Sequence, residues 1–350
     1  MVCSFTALDE YFGVAPAPLR FERFDGDLVG LARAVDGLSF PGLPYADAVT
    51  TGTDGLRVRW SCSDGEARGA YPQTRLARLP GKKAFDARGG VYERLRDPGP
   101  VPDRAIPELV VFESAVLASR YRYEPDPACL QDAGPGLPPE YQRDLLELIV
   151  TGARPDKGFE LLLRSGFVDE YWPELAELSG VTHAKEYHPE GDVWRHTMET
   201  FAHRKSPDLI LSLALLLHDT GKPDAVSVGG NRFNGHSELG EDAARAFLRR
   251  LGYPRDITDS VAYLVRYHML PAALPRVPPS SIGRILDDPL FPVLLEVYRC
   301  DELSTFRGPD GYYEACAAYK AYLKNSRNPY RNSDGKRRQD VLHRTGPRPV

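Results

Sequence analysis

The chain is predicted to be α+β, with a mixed α/β region first and an almost wholly helical remainder. Three observations predict it. Residues 47–64, DAVTTGTDGLRVRWSCSD, alternate in polarity as a hairpin does, with Asp54-Gly55 at the turn. From 139 onward, apolar residues recur at helical spacing. Between the two lie Pro/Gly-rich stretches, 98–107 and 124–140, that can continue neither a helix nor a central strand.

In order along the chain, LVGLARAVDGL (28–38) has helical spacing beside the hairpin, and RFDGDLVG holds the close pair Asp25 and Asp27, which reads as a polar turn. PEYQRDLLELIVTG starts with Pro in its first turn and ends at Gly152; a second amphipathic helix follows around Phe159 to Arg164. LSLALLLHDTGKP (211–223) predicts an apolar helix that runs into His218-Asp219, with Gly221 as a left-handed cap and Pro223 as the stop. Ser237 is the expected N-cap of a helix through Ala244, Phe247, Leu248 and Leu251, which ends at Gly252. Lys320 to Val350 holds nine Lys/Arg against two acids, which reads as a solvated or disordered tail, with phosphate contact as the alternative. No repeat is apparent.

At 350 residues, 27 % of them charged and 42 % hydrophobic, the composition suits a globular protein with more than one core. No segment approaches the roughly 18 uninterrupted apolar residues that span a bilayer, and no signal-like run opens the chain, so a cytoplasmic location is expected. Five scattered cysteines without a C-x-x-C pair argue against a disulfide framework and a thiolate zinc site. A net charge of −5 offers nucleic acid no global attraction.

The chemistry lies on the helical stripes. Leu211, Leu215 and His218 follow one; Ile257, Val261, Leu264, Val265 and His268 another; Leu290, Leu294, Val297 and Asp301 a third. Each ends in a polar residue at the next core-facing position, where an unpaired imidazole or carboxylate costs several kcal/mol. His196 in DVWRHTMET and His236 in FNGHSEL complete a set that could converge inside a helical bundle. His236 and His268 decide between one metal and two, since either could instead support a ligand from behind. Imidazole and carboxylate donors suit Zn, Ni, Fe, Co or Mn, and Mg is admitted. A bound divalent ion would make water reactive toward phosphorus. Lys222 reads equally as a contact to a phosphate oxygen and as an exposed cation past a helix end. His188, in HPEGD, is even between substrate contact and loop packing; His183, His203 and His343 lie outside the pattern.

The order His196, His218-Asp219, Asp301 resembles the HD superfamily of metal-dependent phosphohydrolases. HPEGDVWRHT, LALLLHDTGKP, the Gly235-His236 pair and LVRYHM together resemble the HD domain attached to bacterial CCA-adding tRNA nucleotidyltransferases. The resemblance implies His196, His218, Asp219 and Asp301 as ligands of a first divalent metal, His236 and His268 as holders of a second, and phosphatase, nucleotidase or 2′,3′-cyclic phosphodiesterase activity.

Segments 82–98, 108–126 and 158–178 echo that family's head and neck. The Gly-rich turn and paired carboxylates that nucleotidyl transfer needs are not recognisable, Asp25-Gly26-Asp27 being the one candidate. The expected organisation is a degenerate nucleotidyltransferase-like head (1–107), a helical neck (108–180), an HD domain (181–324) with Asp219 and Lys222 at its catalytic centre, and a basic tail (325–350). The expected substrates are nucleotides or RNA ends, with tRNA a candidate partner and no membrane. Two alternatives stand beside this reading: a tRNA nucleotidyltransferase with a diverged head, and an RNA-binding module with a vestigial metal pocket.

Overall fold

In the computed structural model, the described residues are 1–67, 69–71, 74, 106–126, 128, 130–181, 191–228, 232–305 and 308–337. The segment 82–98, residues 98–105 of the first expected linker, His183, His188 and the tail beyond 337 lie outside them.

The N-terminal region is a small mixed sheet between helices. Helix α1 (Ser4–Phe12) leads into strand β1 (Leu19–Phe24); helix α2 (Leu28–Ala34) follows, then β2 (Ala48–Thr51) and β3 (Arg57–Cys62). β3 is central, parallel to β1 and antiparallel to β2, in register Ala48 with Trp60 and Thr51 with Arg57. Gly55 adopts φ +80° in the tight connection, as the Asp-Gly turn requires. Asp27 is the N-cap of α2, its Oδ1 accepting from the Gly30 amide at 2.7 Å, so this carboxylate is occupied as a helix cap.

One continuous core then runs from the sheet into the helices. Leu19 and Phe21 share the inward face of β1, and Phe5 of α1 meets Phe21 edge to face with centroids 5.4 Å apart. Helix α3 (Pro107–Tyr121) is buried almost all round, as a helix apolar on every side must be. It packs on α4 (Pro139–Val150) and α5 (Pro155–Arg164); α4 begins on Pro139, as its sequence predicts. Short helices α6 (Phe167–Tyr171) and α7 (Pro173–Ala176) lead to the C-terminal bundle.

The alternation of β3 has an unusual consequence. Arg57 and Arg59, two apart, both lie on its buried face. They meet α4 there: Arg57 donates to Asp144 at 2.9 Å and to Glu147, and Arg59 grips both Asp144 oxygens at 2.5 and 2.6 Å. Tyr45 adds a third donor to Asp144 and Arg143 a second to Glu147, so the buried charges are closed on one another.

In the bundle, α8 (Val193–His203), α9 (Leu209–Leu217), α11 (Arg255–Tyr267) and α14 (Phe291–Leu303) pack together, with α10 (His236–Arg250) laid against α11. Strands β4 (Val226–Val228) and β5 (Arg232–Asn234) form a two-stranded ribbon before α10; α12 (Leu270–Ala273), α13 (Pro279–Leu286) and α15 (Asp310–Ser326) complete the fold.

Three expectations need correction. Gly221 is not left-handed; it is needed because a Cβ there would lie 2.1 Å from the His236 carbonyl and 2.3 Å from the Gly240 amide. Ser237 does not cap α10: Gly235, at φ +81°, holds that position, and Ser237 is buried within the first turn. The expectation of a disordered tail does not hold for residues 325–337, where Asn332 and Lys336 close a turn and Asp334 accepts from the Ser280 amide at 2.8 Å.

Candidate metal centre

Two helices of the bundle end in the same way. α9 stops at Leu217 and α11 at Tyr267; the C-cap residues are His218 and His268. The last carbonyls of a helix lack intrahelical partners, and each of these histidines donates its Nδ1 hydrogen to the carbonyl three residues back: Leu215 at 2.8 Å, Val265 at 2.7 Å. His236, at the start of α10, does the same to Phe233 at 2.7 Å. A carbonyl only accepts, so Nδ1 carries the hydrogen, and each ring turns its Nε2 toward the centre.

The fourth ring is held by a hydroxyl. Ser304 donates to the Asp301 carbonyl at 2.6 Å and lies 3.1 Å from His196 Nδ1. Its one hydrogen is spent on that carbonyl, so it accepts from His196 and directs that Nε2 inward as well. Sequence reasoning missed Ser304; its i+3 spacing from Asp301 on α14 was the available signal.

The donor atoms form two groups, His196 with His218 and Asp301, and Asp219 with His236 and His268, the atoms of each lying within 4.8 Å of one another. Asp219 joins them: its Oδ2 is 3.2 Å from His218 Nε2 and 3.9 Å from His196 Nε2, while its Oδ1 is 4.0 Å from His236 Nε2 and 3.9 Å from His268 Nε2. All six residues named from the sequence therefore meet in one place, on four helices and the turn after α9. Gly221 makes the meeting possible by letting that turn touch the backbone of α10.

The donor set fits a divalent cation. His218 Nε2 is buried without a hydrogen-bond partner, its 3.2 Å approach to Asp219 lacking hydrogen-bond geometry. His236 Nε2 and His268 Nε2 face each other at 3.1 Å; two lone pairs at that distance repel unless a proton or a metal ion lies between them. Burial pushes His268 down to about 4, which keeps it neutral and able to ligate at neutral pH. Burial opposes charge on Asp219 and Asp301, but their neighbours hold both well below the usual carboxylate range: Lys222 pairs with Asp219, and His196 Nε2 lies 2.9 Å from Asp301 Oδ1, a contact that needs a proton unless a metal ion takes its place. No thiol enters either group.

Lys222 is neither exposed nor free: its ammonium donates to Asp219 Oδ2 at 2.6 Å and lies 5.9 Å from the Phe233 ring centroid. His203 stands apart on the last turn of α8, 3.7 Å from Glu199. The centre is closed at His196, His218, Asp219 and His268, and reaches solvent at Asp301, His236 and Lys222.

This geometry coincides with a match to the family model described as "HD domain", which spans residues 183–304. Over those residues the chain is similar to HD domains. Among curated proteins, the chain is 32 % identical over 196 residues to a CC-adding tRNA nucleotidyltransferase of Thermus thermophilus, covering 53 % of this chain and 44 % of that protein. It is 35 % identical over 117 residues to a multifunctional CCA protein of Halorhodospira halophila (33 % and 28 % covered). A third relative, a multifunctional CCA protein of Alkalilimnicola ehrlichii, is 35 % identical over 132 residues (37 % and 31 %). The chain spans less than half the length of these relatives. The HD domain thus sits in a chain resembling CCA-adding enzymes, and the relatives' names fit the transferase alternative better than hydrolysis. No helix among the described residues is long and apolar enough to cross a membrane.

Proposed function

We propose that the chain is a divalent-metal-dependent phosphoric ester hydrolase, a phosphatase, nucleotidase or 2′,3′-cyclic phosphodiesterase acting on nucleotides or RNA ends in the cytoplasm. The observation that carries the proposal is the set of Nε2 atoms turned inward around Asp219, with every Nδ1 already satisfied by a carbonyl or a hydroxyl. His196, His218, Asp219 and Asp301 would hold a first ion, and His236 and His268, sharing Asp219, a second. Such an ion lowers the pKa of bound water and neutralises charge on phosphoryl oxygens.

The chain's own groups divide the remaining work. Asp219 spans both donor groups, and its ion pair with Lys222 keeps the carboxylate ionised and fixes its rotamer. Lys222 at the edge offers its remaining ammonium hydrogens to a phosphate oxygen of the ester. The open side at Asp301 and His236 admits a phosphate, while the apolar helices beneath exclude bulk water from the ligands. His188 remains a candidate for substrate contact.

A tRNA nucleotidyltransferase activity is the second reading, favoured by what the relatives are called. Against it stands the use of Asp27 as a helix cap and the lack, among the described residues, of any cluster of potential metal ligands in the N-terminal region. Two assays separate the readings. Hydrolysis of 2′,3′-cyclic AMP or p-nitrophenyl phosphate with Ni²⁺, Co²⁺, Mn²⁺ or Mg²⁺ is expected, and is lost in Asp219→Asn. Incorporation of labelled CTP or ATP into tRNA lacking its terminal CCA, abolished by changing Asp25 and Asp27, would overturn the hydrolase reading. Metal content near two per chain would assign His236 and His268 as ligands.

A further inference from the structure

A second cavity, of about 900 Å³, opens where the N-terminal region, the neck and the far end of the HD bundle meet. Its walls come from residues 12–15 after α1, 120–122 at the end of α3, 151–154 after α4 and 201–207 between α8 and α9. Five of the lining side chains are cationic and none is a carboxylate. We propose that this cleft is a nucleotide-binding site, gripping phosphate groups through Arg122, Arg204 and Lys205.

The five cations are not equivalent. Arg120 is committed to the wall, bonding both Asp9 oxygens at 3.0 and 2.8 Å and the Ala15 carbonyl at 2.6 Å. Arg154 and Lys205 are held only by exposed pairs, with Asp156 at 3.2 Å and Glu296 at 3.5 Å, which a phosphate can displace at little cost. Arg204 is different. Its guanidinium donates to the carbonyls of Val150 and Gly152 and to Ser212 Oγ, with no carboxylate in salt-bridge range among the described residues. Burial lowers it to about 10, which leaves it charged at neutral pH.

Arg122 supplies the exposed fork. It is the C-cap of α3 with φ +56° and ψ +29°, a left-handed conformation that non-glycine residues adopt only at a cost. Where glycine would be the easier residue, the chain keeps an arginine facing the cleft, and it makes no ion pair with another described residue. Phe12 and Tyr121, half-buried with centroids 5.6 Å apart, give the same cleft an aromatic wall on which a base can stack. The cavity volume falls in the range of about 300–1,000 Å³ typical of small-ligand sites. A shaped cavity with aromatic and cationic walls favours a nucleotide over a passing strand.

The cleft is distinct from the His/Asp centre. Arg204 follows His196 by eight residues along α8, about 12 Å of helix rise, and lies at the opposite end of both α8 and α9. The proposal therefore does not depend on the hydrolase reading.

The test is calorimetric titration of the full chain with ATP, in chelator so that no metal holds phosphate at the His/Asp centre. Adenosine and a short single-stranded RNA form separate arms. ATP is expected to bind, adenosine far more weakly, and Arg122→Gly to weaken ATP about tenfold, the loss of one charged contact, without lowering the melting temperature, because glycine accepts the left-handed backbone. Lys205→Ala, at the exposed lip, is expected to weaken ATP about threefold. Unchanged ATP affinity in both variants, equal binding of adenosine, no binding of ATP, or binding of the RNA alone would each overturn the assignment.

Discussion

Two of the buried charge clusters among the described residues are built on opposite plans. Where β3 meets α4, Asp144 and Glu147 are answered by Arg57, Arg59 and Arg143 through matched hydrogen bonds. In the HD bundle, Asp219 and Asp301 are surrounded by imidazoles whose outer nitrogens are satisfied and whose inner nitrogens converge. The first cluster is closed: each guanidinium meets a carboxylate, and its effect is to lock the sheet to the neck. The second is open, with two carboxylates, one ammonium at Lys222 and four inward-turned ring nitrogens, and so retains affinity for a cation. Burial alone does not mark a functional site. The informative feature is a set of polar atoms oriented toward one point, His218 Nε2 among them without a hydrogen bond.

The largest effect that would break this contrast is expected from Gly221→Ala. Its Cβ would run into the backbone of His236 and Gly240, separating the two donor groups at a cost of about 3 kcal/mol or more. Metal content and phosphoesterase activity should both fall to background, while near-UV circular dichroism of the N-terminal aromatic core changes little. Asp144→Ala and Asp219→Asn then dissect the two plans directly. The first leaves the buried Arg59 guanidinium without a carboxylate and takes one of two from Arg57, and should cost about 3–5 kcal/mol by urea denaturation, with unchanged metal stoichiometry. The second should lower metal-supported turnover more than about a hundredfold, with a much smaller shift in the metal-free urea midpoint. Equal loss of stability in both would erase the distinction.

Acid should also act on the open cluster. His268 titrates at about 4 when folded against 6.5 when unfolded, so between these values the unfolded chain takes up the proton and the native one does not. The resulting stability is complete above pH 6.5 and declines as the pH falls toward 4, by about 3 kcal/mol in the metal-free protein. Asp219 and Asp301, held low, add their loss only below their ordinary value of 3.8. His268→Gln should flatten the urea midpoint between pH 6.5 and 4. The smallest effect is expected from Ser304→Ala. Loss of the hydroxyl behind His196 should weaken metal binding about tenfold, read by competition with a chelator, and leave the thermal midpoint within a degree or two of wild type.

Much of the centre was legible beforehand because helical periodicity carries directional information. His218, His268 and Asp301 each continue an apolar stripe, so each had to face the core. His236 was harder, since it opens a helix after a left-handed Gly235. For Lys222 the sequence left two readings level; the helix ends at Leu217, and the turn beyond folds its ammonium back onto Asp219, which removes the reading as an exposed cation. Ser237 looked like a cap because Ser is a good one, but the tight backbone at Gly235 starts the helix two residues earlier than that.

What the linear chain determined by itself was the succession of elements, the inward direction of the candidate ligands and the kind of chemistry those side chains can do, because these follow from local spacing and residue type. Tertiary structure alone decided that Asp219 faces both groups of histidines, that Ser304 orients His196, that Arg57 and Arg59 find carboxylates 85 or more residues away, and that Arg122 and Arg204 share a cleft. Those outcomes depend on how helices cross and how closely two backbones approach at Gly221, distances that no periodicity along one strand or helix encodes.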